Sequence, residues 1–247
     1  MRGLARLGPL WLPCLLLALL GLLVHNLANW ESLFRLVQPD TRQVIYSRDS
    51  FSYLLWQHLA LVGLAVVGSL MIGLSAAILV TRTRGRAFLP LVNQLASMGQ
   101  TVPPVAVLAL AVPVLGFGNP ATVVALLIYG LFPIVRNGIA GLQGIDGAVL
   151  ESARGMGMSA MQILWQVELP LAAKVILAGV RTSTTFAIAT AAIGSTVGAR
   201  TLGDPIISGL INGNNAYVIQ GALLIGLLAI SLDALFSAVD KWLPSTH

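Results

Sequence analysis

Apolar residues run through this chain in long unbroken stretches. They do not alternate, and they do not recur on one helical face. The first charge-free stretch extends from Leu7 to Trp30, with a Leu-rich centre from Leu15 to Val24. The second lies between Asp49 and Arg82 and has its core at Leu59 to Val80. An uncharged block from Ala87 to Val135 follows and is too long for one helix. Pro113, Gly116, Gly118 and Pro120 divide it, which predicts spans over about 88–114 and 120–138. A fifth stretch covers about Leu171 to Val197 and a sixth about Tyr217 to Val239. A bilayer-spanning helix needs about 20 apolar residues, so the pattern predicts an all-α membrane protein, a polytopic bundle of about six transmembrane helices. Outer-membrane strands alternate apolar and polar over about ten residues, a pattern not seen here.

Composition sharpens this reading. Of 247 residues, 57% are hydrophobic and 9% charged, and mean hydropathy is +0.87. Soluble domains carry roughly 25% charged residues, so this chain cannot clothe a water-facing surface. Disordered chains are polar and charged, and disorder is excluded on the same ground. Cys14 is the single cysteine, so neither an intrachain disulfide nor a Cys-based metal cluster can form. The net charge of +5 could suggest nucleic acid, but no basic run with interleaved aromatics occurs. Basic residues of membrane proteins collect on cytoplasmic loops instead.

That rule predicts orientation. With the N-terminus inside, Arg2, Arg6, Arg82, Arg84, Arg86, Arg136, Arg154, Lys174, Arg181 and Lys241 lie on or near the cytoplasmic side. Arg35, Arg42, Arg48 and Arg200 lie outside, a split of ten against four. Both termini are then cytoplasmic, and Asn29–Ser52 and Ser195–Asn215 are external. Arg2 and Arg6 ahead of an apolar core also fit a signal peptide. No small-x-small site follows Val24, so a retained span is expected.

Enzymatic motifs are missing. Lys174 and Lys241 follow Ala173 and Asp240, so no Walker A loop is present. His25, His58 and His247 are far apart and lack HExxH spacing, and GxSxG does not occur. No catalytic residue and no metal site is expected.

The cytoplasmic insert Arg136–Pro170 carries the most information. Within it, Asp146 can accept hydrogen bonds at a helix start. Gly155 and Gly157 supply positive φ and end that helix. Ser159 and Gln162 form a capping box for a second short helix, and Pro170 marks its end or the entry to the next span. The run Leu150-Glu151-Ser152-Ala153-Arg154-Gly155, followed by Glu168-Leu169-Pro170, resembles the EAA motif of ABC importer permeases, though it departs from the strictest form. Gln100-Thr101-Val102-Pro103-Pro104, Gly116-Phe117-Gly118, Ile176 to Thr182, Thr196-Val197-Gly198 and Leu202 to Leu210 resemble the osmoprotectant branch, which imports glycine betaine, choline or related quaternary ammonium compounds. The resemblance covers most of residues 55–240.

The resemblance implies a type I ABC importer (MetI-like) permease in the bacterial cytoplasmic (inner) membrane. It would comprise an N-terminal helix and external segment over 1–54 and a permease domain over 55–247. It implies a second permease subunit, paralogue or copy, two ATPase subunits that hold ATP and Mg²⁺, and an extracytoplasmic solute-binding protein. Glu151, Ala153, Arg154, Gly155, Met156, Gly157 and Met158 would form the ATPase-coupling loop, with Gly155 at a bend of positive φ and the methionines giving adaptable contacts. Gln100, Thr101, Pro103 and Pro104 would line a pathway or gate, or mark a packing kink. Leu202, Asp204, Asn212 and Asn214 would meet the binding protein, or form a connecting loop. An amino acid or other small zwitterion is the alternative solute, and a secondary transporter the alternative class.

Three further expectations come from the residues alone. Asp233 lies inside a span and needs a basic partner or water. Gly73, Gly179, Gly194 and Gly226 allow close helix packing. Quaternary ammonium groups favour aromatic faces, but no aromatic cage is visible.

Overall fold

A computed structural model describes residues 10–99 and 101–243. All regular structure among them is helical. Helix α1 (Trp11–Asn26) continues through a 3₁₀ turn (Leu27–Trp30) into α2 (Glu31–Val37). Helix α3 (Phe51–Thr81) is followed by a 3₁₀ turn (Arg86–Phe88), α4 (Leu89–Gly99) and α5 (Pro104–Leu115). Helix α6 (Asn119–Gln143) leads to α7 (Gly147–Gly155), α8 (Ala160–Ile163), a π segment (Leu164–Glu168) and α9 (Leu169–Gly194). A 3₁₀ turn (Ser195–Val197), α10 (Asp204–Asn212) and α11 (Asn215–Asp240) complete the fold. Among the described residues, five helical runs are long and apolar enough to cross a membrane.

The third expected span is not one helix. Its arms α4 and α5 meet at 101°. Pro103 is extended (φ −61°, ψ 135°) and Pro104 opens α5. Proline fits a first helical turn, where its missing N–H would be unpaired anyway, and it pushes the preceding residue out of the helical region. The pair therefore starts a new helix and does not merely kink an old one. Pro113 does not divide the block either; it lies within α5. The division is made by Gly116 (φ 80°) and Gly118 (φ 92°), with Pro120 in the first turn of α6.

Contacts at the helix ends show which connections share an end of the bundle. Arg82, after α3, pairs with Glu168, before α9. Asp49, before α3, pairs with Arg200, after α9. At that same second end the Gly118 amide donates to the Val197 carbonyl at 2.7 Å, and Gln38 Nε2 donates to the Gly213 carbonyl at 3.3 Å. The bent pair α4–α5 thus leaves the Arg82 end and finishes at the Val197 end, so it crosses as a broken span. Trp11 and Leu12 line one cleft with Lys241, which puts both described ends of the chain at the Arg82 end.

Helix α6 is the hub, packed on both α3 and α9. Small residues set that closeness. A β-carbon at Gly130 would fall 2.6 Å from the Ser69 and Ser183 hydroxyls, and one at Gly179 2.9 Å from the Pro133 carbonyl. Such small-residue contacts replace the hydrophobic drive that lipid cannot supply. Gly73 and Gly194 also face close neighbours, whereas a β-carbon at Gly226 would meet nothing within 4 Å in this chain. Asp233 is held by Arg181 through two hydrogen bonds of 2.5 and 2.6 Å.

Candidate functional site

At the Arg82 end the chain between α6 and α9 builds a projecting helix. The Asp146 carboxylate accepts from the Ala148 amide at 2.9 Å and starts α7. At the far end the Gly157 amide donates to the Arg154 carbonyl at 2.9 Å, and the Met158 amide to the Ala153 carbonyl at 3.2 Å. This pair of bonds is a Schellman closure, which requires a left-handed residue at the position of Gly157. Gly157 has φ 78°. Gly155 is the last residue of α7, its φ is not positive, and a β-carbon there would meet nothing within 4 Å. The bend expected at Gly155 therefore lies two residues later, because the helix continues until the left-handed residue closes it.

The capping box holds as read: the Ser159 amide donates to Gln162 Oε1 at 2.8 Å, and the Gln162 amide to Ser159 Oγ at 3.4 Å. The helix that it opens is not a separate short one. It runs through the π segment into α9 as one helical stretch from Ala160 to Val197. Pro170 cannot donate to an i−4 carbonyl, and the Leu169 amide reaches back to the Leu164 carbonyl. A π turn accommodates such a mismatch and recurs at functional sites.

Most expected loop residues project outward. Glu151, Arg154, Gly155, Met156 and Gly157 are exposed, Met158 is half-buried, and Ala153 alone is buried. Met156 is 75% exposed. The sequence reading missed two neighbours, Met161 and Trp165, also exposed and joined by an indole N–H to sulfur contact of 3.2 Å. Their i, i+4 spacing beside the Ser159–Gln162 capping box is the signal that the sequence offers for them.

Glu168 anchors the base of this projection. It is 7% exposed and takes both arms of the Arg82 guanidinium at 2.9 and 2.5 Å. A two-pronged Arg–carboxylate pair fixes geometry as well as charge. It ties the start of α9 to the end of α3, so α7 sits on a rigid mount. Glu168 was part of the motif, but its partner was not evident from spacing.

The proposed gate lies at the break in the third span. Thr101, Pro103 and Pro104 are at that break, with Thr101 donating from its hydroxyl to the Met98 carbonyl at 2.7 Å. Gln100 lies outside the described residues. Behind the break, a β-carbon at Gly99 would collide with the Phe132 ring, and Phe132 stands edge-on to Tyr129 at 6.4 Å. The buried hydroxyls of Tyr129 and Ser183 have no partner among the described residues. At the break itself Thr101 and Pro103 are exposed and Pro104 is half-buried.

At the opposite end, Ser195–Asn215 is not a loop, since it contains the helix α10. Leu202 is fully buried and Asn214 is 4% exposed. Neither offers a surface to a partner, which corrects the expectation. Asn214 caps α11 through the Tyr217 amide and donates to the Gln43 carbonyl at 2.9 Å. Asp204 is occupied by Arg200 at 3.2 Å, and Asn212 alone of the four is exposed. Burial, with Asp204 and Asp49 nearby, pushes the Tyr46 phenol up to about 12. The hydrogen bond to Asp204 holds the Arg200 guanidinium above its usual range. A cavity of about 390 Å³ opens between Tyr46, Arg48, Arg200 and Asn212.

Comparison with known proteins bears on this arrangement. Residues 69–244 match the family of binding-protein-dependent transport system inner membrane components. The osmoprotectant import permease protein OsmY of Salmonella typhimurium is 38% identical over 185 residues, 75% of this chain and 78% of that protein. The carnitine transport permease protein OpuCD of Listeria monocytogenes is 36% identical over 202 residues, 80% of this chain and 90% of that protein. The choline transport system permease protein OpuBB of Bacillus subtilis is 36% identical over 191 residues, 76% and 86% of the two chains. Among solved structures, an inward-facing MetNI methionine ABC transporter chain superposes with a TM-score of 0.70 at 22% identity, over 81% of this chain and 100% of that one. That likeness shows the fold.

Proposed function

Since the chain belongs to the family of binding-protein-dependent transport system inner membrane components, a multi-pass permease of an ABC importer whose ATPase is a separate subunit, we propose that its cargo is a quaternary ammonium osmoprotectant such as glycine betaine, choline or carnitine. One observation carries this reading. Relatives named for osmoprotectants, carnitine and choline each match three quarters or more of this chain. Their named cargoes carnitine and choline share a trimethylammonium head. An amino acid or other small zwitterion is the second reading.

The chain forms the path with a second permease subunit. Two ATPase subunits, holding ATP and Mg²⁺, engage the projection around α7, and a solute-binding protein delivers cargo at the opposite face. Eight of the twelve basic residues among the described ones fall at or toward the Arg82 end, so that end is read as cytoplasmic, with both termini inside. Residues 1–54 form an added N-terminal helix and external segment, and 55–247 form the permease domain. Solute passes the break at Thr101–Pro104. Asn212 stands at the rim where the binding protein docks.

Uptake by the reconstituted importer tests the cargo. Labelled glycine betaine, choline and carnitine should enter with ATP, and excess methionine or histidine should not compete. Uptake of an amino acid with none of the three quaternary compounds would overturn the reading.

A further inference from the structure

Behind α7 lies a cavity of about 490 Å³ that belongs to neither the gate nor the outer rim. Three arginines from different parts of the chain line it: Arg82 at the end of α3, Arg86 in the following turn, and Arg154 on α7. Glu168 is the one acid among the lining residues, and it is committed to Arg82 through both oxygens. Arg86 and Arg154 are exposed and pair with no acid among the described residues. The nearest acids along the chain, Asp146 and Glu151, are not part of the lining. The cavity therefore keeps a formal charge of about +2, three cations less one anion, at its mouth. The outer cavity differs: Arg200 there is already bracketed by Asp49 and Asp204.

We propose that this basic socket receives a carboxylate-bearing segment of the ATPase subunit. The inference rests on the reading of α7 as the coupling element. Two features favour a protein carboxylate. Arg154 lies on α7 itself, two residues before the exposed Met156, so socket and apolar tip form one continuous surface. An apolar centre with a charged margin is the usual anatomy of a protein interface. A guanidinium fork also matches a carboxylate in two-pronged geometry. Division of labour follows. Met156, Met161 and Trp165 supply apolar burial, while Arg86 and Arg154 set approach and register. Complementary charge chiefly controls encounter rate and salt sensitivity.

The test uses the intact importer purified in nanodiscs of zwitterionic lipid and, in parallel, in nanodiscs containing anionic lipid. Arg86→Gln and Arg154→Gln, singly and together, are compared with Arg84→Gln, which lies outside the socket, and with Met156→Asp. ATPase retention is measured against salt concentration. The double variant should lose roughly ten-fold in affinity at low salt and show a flatter salt dependence, while Arg84→Gln behaves as the parent. Replacing successive surface acids of the ATPase with Lys should identify one that restores binding to Arg154→Glu. Parental affinity and salt dependence in the double variant, with Met156→Asp releasing the ATPase, would overturn the socket alone. Retention by Met156→Asp would overturn the coupling reading itself. Loss confined to nanodiscs containing anionic lipid would assign the socket to a headgroup and also overturn the proposal.

Discussion

Two connections between spans differ in where their side chains go. The stretch between α6 and α9 turns Met156, Met161 and Trp165 outward and buries little besides Ala153, Ile163 and Glu168. The stretch between α9 and α11 buries Thr201, Leu202, Pro205 and Asn214 and exposes mainly the tip of α10, Leu210 to Asn212. Both are rich in glycine and polar residues, and composition does not separate them. Anchoring does. The first is fixed at its base by one ion pair and caps its own helix ends. The second is stitched to residues 38–49 through Gln38, Gln43 and Asp49. A segment anchored only at its base can present a face to a partner. A segment stitched along its length serves as a lid on the bundle.

The contrast fails or sharpens first at Leu202. Truncation to Ala removes a fully buried side chain and should cost about 3 kcal/mol, read as a lower thermal midpoint of the purified chain. Trp165→Ala, at a 64% exposed site, should change that midpoint little, within about 0.5 kcal/mol, yet weaken ATPase retention. Equal destabilisation by the two would erase the distinction.

Next in size is Glu168→Gln. Breaking a buried pair costs about 3–5 kcal/mol, but the Arg82 side chain is 36% exposed and water screens it, so about 2 kcal/mol is expected. A double-mutant cycle with Arg82→Gln should return most of that as coupling energy. Additive effects would show that the pair does not mount α7.

A smaller effect separates two glycines. Gly157→Ala places a β-carbon at φ 78° and should cost about 1 kcal/mol. Gly155→Ala, helical and unobstructed, should be neutral or stabilise by about 0.5 kcal/mol. Thermal midpoints in detergent distinguish them, and the reverse order would contradict the Schellman closure.

Much of this architecture was legible because membrane spans are written in hydropathy, and backbone groups in lipid must be satisfied within the helix. Asp146 and the Ser159–Gln162 box were legible for the same local reason: caps act within four residues. What was hidden is long-range. Arg82 lies 86 residues from Glu168, and nothing in the spacing of either joins them. At Pro103–Pro104 the sequence gives a break within the third span, a gate or a packing kink, but not its angle. Leu202 and Asn214 were read as surface because turn residues usually are. Their burial depends on the segment 38–49 folding over them.

Site-directed cross-linking tests the coupling surface most directly. In a Cys14→Ser background, single cysteines at Met156, Trp165 and Asn212 are introduced into the assembled importer and treated with a short cross-linker. Met156→Cys and Trp165→Cys should link to the ATPase subunit, and Asn212→Cys to the solute-binding protein. A complex that hydrolyses ATP and imports solute, yet yields no ATPase link from Met156 or Trp165, would contradict the account.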